Sequence, residues 1–107
     1  VDLVVSNSLL HHLHDPSVFW KALMCLTSKG TVHFHRDLRR PSTVSKAIAL
    51  QKTYLPAAPE VLLKDYVSSL YAAFTVEEVE DQIKSQGLDQ LNVYELEDRY
   101  LEVVGTF

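Results

Sequence analysis

The strongest constraint on this chain is its opening run, Val1-Asp2-Leu3-Val4-Val5-Ser6-Asn7-Ser8. Apolar residues give way to small polar ones, and Leu9-Leu10-His11-His12-Leu13-His14-Asp15-Pro16 follows at once. The pattern reads as a β-strand with a ligand-type loop at its carboxyl end. A strand that runs from the first residue and delivers such a loop implies the later half of a larger open α/β sheet. The chain is therefore expected to be the back portion of a fold whose front portion it lacks.

At 107 residues, 47% of them hydrophobic, residues 1–107 suffice for one small domain with a core. With half its sheet missing, that domain is expected to be only marginally stable. No apolar run approaches the roughly 20 residues that span a bilayer, and no charged-then-apolar leader is seen. No membrane partner is expected. Cys25 is the only cysteine, so the chain forms no internal disulfide and suggests no cysteine-based zinc site. A cytoplasmic location is the default. The net charge of −4 argues against a nucleic-acid surface, which presents a basic patch or stripe. Arg36-Asp37-Leu38-Arg39-Arg40 is the local exception, read either as a solvated strand end or as a cluster that meets an anionic ligand.

Asp15-Pro16 marks a helix start, because the aspartate caps free amides and proline presets φ. Val18, Phe19, Ala22, Leu23 and Leu26 carry the helix to a stop at Gly30. Thr31-Val32-His33-Phe34-His35-Arg36-Asp37 alternates as a second strand. Strand, helix and strand predict a parallel, right-handed βαβ unit. Residues 41–74 read as a helical insertion in two pieces, the first starting at Pro41-Ser42, with Pro56 and Pro59 between them. Thr75 and Glu78 fit a capping box for a last helix that closes at Gly87. Leu91–Leu96 and Arg99–Gly105, joined by Glu97-Asp98, predict an antiparallel hairpin.

Together, Asp2–Leu13, the helix from Asp15-Pro16, the strand Gly30–Asp37, Phe74–Val79 leading to Gly87, and the closing hairpin resemble class I S-adenosylmethionine-dependent methyltransferases. The resemblance covers nearly the whole chain and rests on the order of its motifs. It implies a partial Rossmann-like α/β sheet of about four strands, in the order 1-2-4-3 with the last antiparallel. It also implies a parent enzyme that methylates a small molecule with S-adenosylmethionine. The Gly-rich turn that approaches such a cofactor is absent, since Gly30, Gly87 and Gly105 are widely scattered. The chain alone is expected to bind the cofactor weakly or not at all, and to be inactive.

Ligands in open α/β sheets sit beyond the carboxyl ends of the strands, which places Asn7, Ser8 and Leu9 on the methionine side of the cofactor. An ordinary strand-to-loop turn is the other reading of these three. His11 and His12 follow, as substrate contacts, as proton acceptors, or as plain polar loop residues. Asp37 ends the second strand where the resembled family often places substrate-site residues, and Arg39 or Arg40 would pair with a carboxylate or phosphate.

No catalytic residue is assigned. A metal centre among His11, His12, His14, Asp15, His33 and His35 is not expected. His12-Leu13-His14-Asp15 only faintly resembles the metallo-β-lactamase motif, with Pro16 and Ser17 where aspartate and histidine belong, and Asp15 serves as a cap. The alternative to an enzyme piece is a noncatalytic module that homodimerises through the exposed edge of its first strand.

Overall fold

A computed structural model describes residues 2–107; Val1, expected to begin the first strand, lies outside them. The elements run β1 (Leu3–Asn7), a single 3₁₀ turn (Leu10–His12), α1 (Pro16–Leu26), β2 (Val32–Leu38), α2 (Val44–Tyr54), α3 (Glu60–Ala72), α4 (Val76–Ser85), β3 (Asn92–Leu96) and β4 (Tyr100–Thr106). They form an α/β structure whose mixed four-stranded sheet has the order β1-β2-β4-β3. β1 lies parallel to β2, in register Leu3 with Val32. β4 runs antiparallel to both β2 and β3. No helix among the described residues is long and apolar enough to cross a membrane.

Local chemistry sets the helix ends. The Asp15 side chain accepts from the Ser17 amide and Pro16 opens α1. The Thr75 hydroxyl accepts from the Glu78 amide while the Glu78 carboxylate accepts from the Thr75 amide, which satisfies two donors that a helix end leaves over. The α2 start is corrected: Thr43, whose hydroxyl accepts from the Lys46 amide, caps it, so Pro41-Ser42 stay outside. The hairpin turn is longer than expected by one residue, since Arg99 falls in it and Leu96 pairs with Tyr100. Glu97 takes a positive φ of 55° to close that turn.

The main core lies on one face of the sheet. Phe19 and Trp20 of α1, Val79 and Ile83 of α4, and Leu101 and Val103 of β4 are buried together, and Trp20 Nε1 donates to Gln82 Oε1 at 2.9 Å. The period-2 alternation of β1 and β2 puts Leu3, Val5, Val32 and Phe34 on the opposite face, where all four are exposed. β1 is an edge strand, as expected.

The α2–α3 pair stands on a smaller core of Ala47, Leu50 and Leu70, with Leu38 and Tyr66 packed against it. Its chain enters and leaves through a neck in which Arg39 bridges Phe74 and the Arg40 amide donates to the Phe74 carbonyl, and Tyr54 of α2 also docks on the hairpin turn, its hydroxyl donating to Asp98. The helical insertion is thus a unit whose chain enters and leaves at one place.

Candidate functional site

The carboxyl ends of the parallel strands β1 and β2 meet under the 3₁₀ turn. The β1 ladder continues one residue beyond the strand, with the Ser8 amide donating to the Arg36 carbonyl. Ser8 then adopts φ 57°, a left-handed conformation that few residues without glycine's freedom take up. This bend swings Leu9–Leu13 back across the sheet end. Asn7, Ser8 and Leu9 are all exposed there.

The bend brings His11 onto Asp37. His11 Nδ1 and Asp37 Oδ1 lie 2.5 Å apart, and both residues are buried, at 7% and 4% exposure. The same carboxylate accepts from the Leu10 amide at 2.7 Å and from the Leu38 amide at 2.9 Å. With its oxygens committed as acceptors, Asp37 fixes His11 as the tautomer protonated on Nδ1. In the neutral ring, Nε2 then carries the basic lone pair. This is the arrangement of a base and the group that orients it.

His11 lines an open cleft of about 700 Å³ between the 3₁₀ turn and α3. His12 and His14 line it too, and Asp65, Ser68 and Ser69 face them from α3. The His12 ring lies 4.0 Å from that of His11, tilted by 38°. Three of the residues singled out in the sequence, His11, His12 and Asp37, therefore converge on one place.

Arg40 does not join them. It binds Glu78 of α4 at 2.8 Å and lines a second cleft of about 570 Å³ with Arg39, Lys46 and Asp98. The first helical turn of α4 captures the guanidinium. Arg39 is held by the carbonyls of Tyr100 and Glu97.

His33 and His35 do not face the cleft. They are buried at 1% and 4% exposure in a hydrogen-bonded file between the sheet and α1. The Thr27 hydroxyl donates to the Leu23 carbonyl, so its oxygen accepts from His33 Nε2 at 2.9 Å. His33 Nδ1 must then accept from His35 Nε2 at 3.0 Å, and His35 Nδ1 from the Ser6 hydroxyl at 2.7 Å. One backbone carbonyl thus sets the direction of every bond.

Burial, together with the neighbouring His33, pushes His35 down to about 4; burial also lowers His33. The rings of Phe19 and Trp20 stand edge-to-face against His35. Among the described residues, no three His, Cys, Asp or Glu side chains are grouped so that they could hold a metal.

The alternation of residues 31–37 put His33 and His35 on one face, but the file they form needs Ser6 and Thr27, which no local pattern links. The orienting role of Asp37 toward His11 was equally hidden, because 26 residues separate them. The one signal for it was topological: both stand at carboxyl ends of neighbouring parallel strands. No family model matches the chain, and no curated protein matches it significantly.

Proposed function

We propose that this chain is the acceptor-side half of a cytoplasmic S-adenosylmethionine-dependent methyltransferase acting on the hydroxyl of a small molecule. The observation that carries this reading is the oriented base: His11, held by Asp37, lines a cleft beyond the ends of two parallel strands. The sheet order β1-β2-β4-β3, with one antiparallel strand between parallel ones, supports the Rossmann-like relationship that the sequence resemblance implies.

Methyl transfer requires the acceptor oxygen to approach the sulfonium carbon in line, so positioning supplies much of the rate. His11 Nε2 would accept the proton that the acceptor hydroxyl gives up when it takes the methyl group. Asp37 keeps the ring facing the acceptor and stabilises the imidazolium. The cofactor supplies the methyl group and would lie against Asn7, Ser8 and Leu9, next to the bend at Ser8.

A protein carrying this chain together with the sequence encoded upstream of it, given S-adenosylmethionine labelled in its methyl group and a panel of phenols and alcohols, should release a labelled methyl ether. Titration calorimetry should find cofactor binding to that longer protein and little to residues 1–107 alone. Failure of the longer protein to bind the cofactor would remove the reading.

One observation favours a second reading, a homodimerising module. Among the described residues nothing pairs with the outer edge of β1, which carries Leu3 and Val5 at 56% and 63% exposure. Light scattering on residues 1–107 should then give twice the monomer mass, and a monomer across the accessible concentrations excludes it.

A further inference from the structure

Taking the acceptor-side reading as its basis, we infer that the His11 cleft selects acceptors bearing a cationic amine at the end opposite the reacting hydroxyl, with Asp65 as the specificity-determining anchor. The sequence pointed the other way, toward a carboxylate or phosphate bound by Arg39 and Arg40. Those guanidiniums are spent elsewhere, on Glu78 and on the carbonyls of Ala73, Tyr100 and Glu97. They line the other cleft.

Among the described residues lining the His11 cleft, Asp65 alone is an acid or a strong base. An anionic acceptor would meet its carboxylate with no lysine or arginine to offset the repulsion. A cation meets a partner.

The geometry of α3 extends the argument. Asp65, Ser68 and Ser69 stand at i, i+3 and i+4, so they share one helix face, and all three line the cleft. That row offers one charged acceptor and two hydroxyl oxygens, which suits an ammonium with its three donors. Across the cleft, His11 Nε2 is left as an acceptor for the substrate's hydroxyl. The cleft's size, about 700 Å³, falls in the range that single small organic ligands occupy. Two separated acceptor sites, one neutral and one anionic, define a molecule with a hydroxyl at one end and an amine at the other.

Three phenols with similar short side arms test this directly: tyramine, ending in an ammonium; tyrosol, ending in a hydroxyl; and para-hydroxyphenylacetate, ending in a carboxylate. NMR titration of residues 1–107 at pH 8, where imidazole is ordinarily neutral, gives the affinity of each. Tyramine should bind at least about threefold tighter than tyrosol, the gain expected of an exposed charge pair, and the carboxylate should bind weakest. Asp65→Asn, a change on the exposed face of α3, should erase the advantage of tyramine over tyrosol.

A carboxylate that binds as well as the amine, a ranking unchanged in Asp65→Asn, or no saturable binding by any of the three overturns the inference. If the ranking holds while the longer protein transfers no methyl group, only the methyltransferase reading falls. If transfer is intact but the ranking is inverted, only the choice of acceptor falls.

Discussion

Replacing His11 with glutamine in a methyl-transfer-competent protein containing this chain is expected to lower kcat by about 10²–10⁴, the range supplied by a positioned proton acceptor. KM should change little, because the cleft keeps His12, His14 and the polar row of α3. Kinetics with a hydroxylated acceptor provide the check, and a variant retaining the parent kcat shows that His11 only packs. The partner substitution, Asp37→Asn, separates orientation from proton transfer. It leaves a base in place but takes away the carboxylate whose Oδ1 accepts from the ring and the Leu38 amide and whose Oδ2 accepts from the Leu10 amide.

In residues 1–107 alone, Asp37→Asn should cost about 1–3 kcal/mol of stability, as expected when buried donors lose their acceptor. Nitrogen NMR of the imidazole should show the proton leaving Nδ1. If the tautomer is unchanged, Asp37 does not orient the ring.

The second large effect is on acid stability. In the unfolded chain His35 titrates near the ordinary imidazole value of about 6.5. In the fold, burial against Phe19 and Trp20, with His33 beside it, brings it down to about 4. Between those two values the unfolded chain holds a proton that the folded one refuses, so stability is full above the upper value and falls as the pH drops toward the lower. The loss amounts to about 3 kcal/mol, a large share of the 5–15 kcal/mol typical of a domain. His33 adds a loss of the same sign.

Carboxylates held low, such as Asp98 by the Tyr54 hydroxyl and Asp15 by Ser17, release their contributions at lower pH still. Urea unfolding at a series of pH values should show this slope in the parent and a flatter one in His35→Gln. Identical slopes in the two would rule out His35 as its source.

Much of the scaffold was legible because its signals are local. Asp15-Pro16 and the Thr75–Glu78 box act within a single turn of helix, and both appear in the structure as read. The strand order followed from joining those elements by family resemblance rather than from any one motif. The site was legible only as separate residues. His11 meets Asp37 because Ser8 bends backward at the end of β1, and nothing in a serine announces a positive φ. Arg40 went to a different cleft because a glutamate that caps α4 also reaches its guanidinium, and one residue serving two partners escapes a pattern that considers spacing alone.

The neck between Arg39 and Phe74 has an evolutionary corollary. Residues 60–72 supply one wall of the His11 cleft, and the helical pair that holds them enters and leaves the sheet by two adjacent crossings, so that wall can be exchanged like a cassette. A lineage could rewrite which molecules it accepts by replacing one helical pair, leaving the proton acceptor and the strands beneath it untouched.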